Sequence, residues 1–102
     1  QARKLARPAA WAEIIAALEQ ARGGEKWEQF SNSHGDWGRE AALWFGRRHG
    51  RLRLARLGEL AGGMDYAAVS VALRRFGQRI AKDAKLRRKL NTIERRLLHG
   101  AM

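Results

Sequence analysis

The sequence predicts an all-α domain, and three observations carry that prediction. Apolar residues recur at spacings of three and four along most of the chain, the period of a helix face. No stretch alternates apolar and polar with period two, and the single proline, Pro8, lies near the start, where it interrupts no later helix. Glycines and aspartates fall between the periodic segments, where helices stop and start.

The periodicity resolves into about six helices in one domain. Pro8 suits a first helical turn, where its missing N–H would be unpaired in any case. Trp11, Ile14, Ile15, Leu18 and Ala21 then form one apolar stripe, and Gly23-Gly24 ends it. A short second helix covers Glu25 to Phe30, with Trp27 and Phe30 inward, and residues 31–35 read as a loop. Asp36 caps a third helix, Trp37 to Arg48, burying Trp37, Ala41, Trp44 and Phe45 before His49-Gly50 closes it. The fourth runs from Arg53 to Ala61, with Leu54, Leu57 and Leu60 or Ala61 inward. Gly58 inside it costs about 1 kcal/mol against Ala, so a close helix-to-helix approach is expected there. Asp65 caps the fifth, and a sixth from Lys85 to Leu98 repeats Leu86, Leu90, Ile93 and Leu97.

Charge is distributed unevenly. Residues 1–50 hold 8 Lys/Arg against 6 Asp/Glu, and residues 51–102 hold 13 against 4, so the halves carry +2 and +9 of a total of +11. A field of one sign over half a molecule suits a polyanion. Cysteine is absent, which excludes disulfides, thiolate metal sites and cysteine nucleophiles. Apolar runs reach only four or five residues, far short of the roughly 20 that span a bilayer, and no signal peptide opens the chain. The expectation is a cytoplasmic, nucleoid-associated protein. A start at Gln1 rather than Met suggests a domain excised from a longer protein.

The segment LARLGELAGGMDYAAVSVALRRF places a short helix, a Gly-Gly break, an Asp cap and a second helix with arginines in succession. That is the order of parts in a helix-turn-helix, here residues 53–82, whose second helix enters the DNA major groove. At about 100° per residue, Val69, Ala72, Leu73, Phe76 and Ile80 share the packing face of the fifth helix. Ala67, Val71, Arg74 and Gln78 lie opposite, flanked by Ala68, Ser70 and Arg75. Small residues in the first turns let a helix sink into a groove, and the arginines behind them reach base edges or phosphates. One of Gly62 and Gly63 is expected at positive φ.

The run LGELAGGMDYAAV resembles the signature of the C-terminal DNA-binding domain of the DnaA replication initiators, Ile-Gly-x-x-Phe-Gly-Gly-Arg-Asp-His-Thr-Thr-Val followed by a basic helix. Leu57, Gly58, Gly62, Gly63, Asp65 and Val69 match or are conservative, and Arg74-Arg75 fall on the basic positions. The resemblance extends more weakly from about Asp36 through the last helix. It implies a helix-turn-helix fold, double-stranded DNA as partner, and contacts from Arg39 and Arg47 on the preceding helix. Met64 stands where the family has Arg, Tyr66 where it has His, and Ala67-Ala68 where it has the Thr-Thr that reads the DnaA-box bases. The loop at 31–35 also lacks the family's minor-groove Arg. The variant Gly-Gly-Met-Asp-Tyr-x-Ala-Val-Ser is similar to a domain carried by REP-associated tyrosine transposase-like proteins. The DNA-contacting set that follows is Arg39, Arg47, Arg53, Met64, Asp65, Tyr66, Ala67, Ala68, Ser70, Val71, Arg74 and Arg75.

Other constellations give no chemistry. His34, His49 and His99 lack the i,i+4 partners of a helical metal site, although His34 and Asp36 could meet an ion. No nucleophile elbow, Ser-His-Asp order or phosphate loop is present, so neither catalysis nor a cofactor is expected. The aromatics Trp11, Trp27, Trp37, Trp44, Phe30 and Phe45 read as core rather than as base-stacking platforms. The last helix reads as a packing helix, with a phosphate-contacting flank, a homodimer seam and a membrane-surface helix as alternatives. The rival functions are a helical protein-interaction module and a structured-RNA binder. Competition separates the latter, since A-form major grooves exclude a helix.

Overall fold

Six helices carry residues 7–33 and 35–100, the part of the chain that the computed structural model describes. They are α1 (Trp11–Ala21), α2 (Trp27–Phe30), α3 (Trp37–Arg48), α4 (Leu54–Leu60), α5 (Tyr66–Lys82) and α6 (Ala84–Gly100), with no strand among the described residues. The all-α expectation holds, with α2 to α6 each within about two residues of its expected span.

Pro8 stands outside α1, not in its first turn. The helix begins after Ala10, whose N–H donates to Glu13 Oε1 at 2.8 Å while Arg7 donates to both oxygens of that carboxylate at 3.0 and 3.2 Å. The bond from Arg7, then that from Ala10, holds the Glu13 carboxyl down to about 2. Ile14, Ala17 and Leu18 are buried, whereas Ala21 is exposed, so the apolar stripe ends one turn earlier than expected. Gly23 and Gly24, at φ +71° and +94°, turn the chain out of the helix.

Asp36 caps α3 by accepting from the Gly38 N–H at 2.7 Å. The same carboxylate receives both terminal nitrogens of Arg22 at 2.8 and 3.0 Å. Arg22 also donates to Glu25 and lies 4.1 Å from the Phe30 ring centre, which fastens the end of α1 to the start of α3. Two adjoining clusters form the interior. The larger draws on α1, α2, α3, α5 and α6, with Ile14, Leu18, Phe30, Phe45, Phe76 and Ile93 nearly inaccessible. The smaller joins Leu43, Leu57, Ala61 and Val69, and so fixes α4 and the first half of α5 against α3. The tryptophans pack at the edge of these clusters. Trp11 meets Trp27, and Trp44 meets Phe76, edge-on at centroid distances of 5.7 and 5.8 Å, the arrangement that ring quadrupoles favour.

Asp83 separates α5 from α6 and caps the latter, its Oδ1 accepting from the Leu86 N–H at 3.0 Å. Arg87 folds back to donate to the carbonyls of Ile80 and Ala81 at 2.7 and 3.0 Å, satisfying the end of α5. Leu86, Leu90, Ile93 and Leu97 all face the interior, 0–6% exposed. The seam read as a possible homodimer contact is therefore spent inside the domain. No described helix is long and apolar enough to cross a membrane.

The α4–α5 turn is closed by its own backbone. The Gly58 carbonyl accepts from the N–H groups of Gly63 and Met64 at 2.9 and 3.0 Å. Gly62 and Gly63 both adopt positive φ, +100° and +96°, where a single such residue was expected. Valine at either position should therefore lower stability by more than about 1 kcal/mol, because a β-branched side chain resists that region. Thermal melting of the two variants measures it. An unchanged midpoint in both would contradict this turn.

Candidate nucleic-acid interface

The outward face of α5 is built from its cap upward. Asp65 accepts from the Ala68 N–H at 2.8 Å, which fixes the helix start and occupies one carboxylate oxygen. Val69 and Phe76 are fully buried beneath, and Ala72, Leu73 and Ile80 are half-buried, as the angular reading predicts. That packing leaves Tyr66, Ala67, Ala68, Ser70, Arg74 and Arg75 exposed on one continuous surface. Tyr66, 66% exposed, is the one large apolar residue to stand so far out among the described residues. Val71 and Met64 are half-buried, Met64 packing on the smaller cluster beside α4.

The side chains of Arg74 and Arg75 make no hydrogen bond, ion pair or ring contact with the described residues, and neither does that of Arg53 at the N-cap of α4. Arg47 is exposed at the end of α3, its Nη1 held 3.0 Å from the Leu52 carbonyl and so steadied beside the entry to α4. The acidic residues nearest in sequence are engaged: Asp65 caps α5, and Glu59 pairs with Arg56 at 3.0 Å. The surface is therefore cationic arginine over a floor of small side chains.

Arg39 does not belong to it. It is only 9% exposed, on the side of α3 that it shares with Ala42 and Leu43, three and four residues on. The resemblance puts a contact near the start of this helix, but the α3 face there is interior. Gly58 also differs in its reason. The atom that a Cβ would strike is the carbonyl oxygen of Met64 in the turn, while Val69 of α5 stands off at 3.5 Å. The glycine admits the turn more than it admits the neighbouring helix.

Among the described residues no three His, Cys, Asp or Glu side chains converge as a metal site would require. His34 lies outside the described residues. His49, predicted only to close α3, binds Glu94 of α6 at 2.6 Å, a long-range pairing that no local motif announces.

The architecture is that of an all-helical domain presenting a capped, basic helix over a glycine turn. Over 83 residues, 81% of this chain, it is 29% identical to the chromosomal replication initiator protein DnaA of Picosynechococcus sp.. The similarity supports a DnaA-like relationship. The aligned segment is 17% of that protein, so the chain spans about one-sixth of its relative. No protein-family profile matches the chain, and no solved structure matches it.

Proposed function

We propose that α4, the glycine turn and α5 act as a helix-turn-helix that binds double-stranded DNA, with α5 in the major groove and no chemistry of its own. The observation that carries this reading is the outer face of α5, with Ala67, Ala68 and Ser70 exposed at the capped end and unpaired Arg74 and Arg75 behind them. Small residues let the backbone approach the base edges, alanine methyls can touch thymine methyls, and an arginine can bridge guanine O6 and N7. Arg47 and Arg53 would hold the phosphates alongside, a positioning role. The similarity to a DnaA protein supports the same reading.

Ala67-Ala68 in place of Thr-Thr directs the domain away from the DnaA box. The parent protein in this proposal is transposase-like or replication-initiator-like, with this domain as its accessory DNA-binding part in the cytoplasm, at the nucleoid. A His-hydrophobe-His motif with a tyrosine nucleophile elsewhere in the gene product would support the first parent, and an ATPase module the second.

Three arginine–phosphate contacts, from Arg47, Arg53 and Arg75, give a salt slope of about −2.7, at roughly 0.9 per phosphate, so affinity should fall about 40-fold between 50 and 200 mM salt. Gel-shift titration of a duplex across that range tests the proposal. No binding even at the lowest salt would end it.

A further inference from the structure

We propose that the outer face of α6 is a second duplex-binding surface, independent of α5, so that one domain holds two DNA duplexes. Lys85, Arg88, Lys89, Arg95 and Arg96 are all exposed on α6, and none forms an ion pair or hydrogen bond through its side chain with the described residues. From Lys85 to Arg96 the helix rises about 16 Å at 1.5 Å per residue, alongside a duplex that carries a negative charge every ~1.7 Å of its axis. Glu94, the acidic residue of α6, is turned away and paired with His49 and Arg48 at 2.6 and 3.5 Å.

The two flanks of α6 show where this face points. On the α5 side, Arg87, Asn91 and Glu94 line a crevice with Trp44 and Ile80, and its arginine is committed to the α5 carbonyls. On the opposite side, Lys89, Thr92 and Arg96 border a cleft of about 520 Å³ beside Trp37 and the end of α1. By helical angle, about 100° per residue, Arg88 and Arg95 point straight outward, while Lys85, Lys89 and Arg96 lean toward α1. Those three therefore lie on the flank of α6 opposite the crevice that it shares with α5. The central line Arg88, Thr92, Arg95 offers no apolar anchor, which is what a protein partner would need at the core of its contact. A uniform cationic ridge fits a phosphate backbone instead.

The experiment titrates the chain with short donor-labelled and acceptor-labelled duplexes at about 0.1 M salt, where screening confines charge effects to about 10 Å, reading energy transfer and, by sedimentation, the number of duplexes per domain. Two duplexes per monomeric domain and clear transfer are expected. The triple variant Lys85→Glu, Arg88→Glu, Arg95→Glu should saturate at one duplex and lose transfer, with the tighter site changed by less than twofold. The matching glutamine variant, free of added acid, should give the same loss of stoichiometry. Saturation of the wild-type chain at one duplex would overturn the proposal. So would a parallel loss at both sites in the variants, or occupancy of α6 by polyglutamate but never by a second duplex. The proposal stands apart from the reading of α5: if Ala68→Glu left the tighter site intact, that reading would fail while the α6 ridge could still hold its duplex.

Discussion

Gly58→Ala should unfold much of what holds α5 in place, lowering stability by roughly 3 kcal/mol. A Cβ at Gly58 would drive into the Met64 backbone carbonyl, which cannot swing aside as a side-chain tip can. Relief requires the turn to move, and the turn is tied by two hydrogen bonds from Gly63 and Met64 to the Gly58 carbonyl itself. Overpacking of this kind costs about 1–3 kcal/mol or more, and each backbone bond lost adds about 1. The gain of about 1 kcal/mol from replacing a helical glycine offsets only part of this. The melting temperature should fall on the order of 10–25 °C. A variant that melts with the wild type would show that the α4–α5 turn is not as described.

Ala68→Glu should do the reverse, removing high-affinity DNA binding at physiological salt while leaving the fold as stable or more so. Ala68 is the third residue of α5, exposed, and its N–H is already satisfied by Asp65. A glutamate at that position favours the positive end of the helix and can complete a capping box with the Asp65 N–H. Against a phosphate backbone the same carboxylate is repelled, and like charges in an interface cost several kcal/mol. Duplex affinity should drop at least 100-fold, by about 3 kcal/mol or more, with an unchanged or raised melting midpoint. Paired melting and gel-shift measurements check both halves.

Helix boundaries were legible because the sequence marks them with residues that act locally. Asp36 and Asp65 cap the helices they precede, and the Gly-Gly pairs at 23–24 and 62–63 adopt the positive φ that ends a helix. The inner face of α5 was legible from periodicity, since Val69 and Phe76 repeat at seven residues. Asp83 caps α6 in the same way, although periodicity alone sets that helix to start at Lys85. What the sequence could not disclose depends on which elements meet. Arg39 looks like a surface arginine until α3 is found buried on that side. The repeating leucines of α6 look like a dimer seam until α1 and α5 are seen to cover them. No local motif marks Arg22 or Arg87, yet one clamps α1 to α3 and the other caps α5. Composition marks a residue as cationic, and only packing decides whether that cation is free for a ligand.

Selection of bound sequences from a pool of random duplexes, run in parallel on the wild type, Arg74→Ala and Arg53→Ala, tests most directly whether α5 reads DNA. The wild type should enrich a preferred site. Arg74→Ala should weaken that site by about 1–3 kcal/mol and relax the preference at one or two base pairs, as loss of a base-edge contact does. Arg53→Ala should weaken all sequences alike and reduce the salt slope by about 1, as loss of a phosphate contact does. Equal, sequence-independent losses from both variants, with no site enriched by the wild type, would contradict a recognition helix in α5.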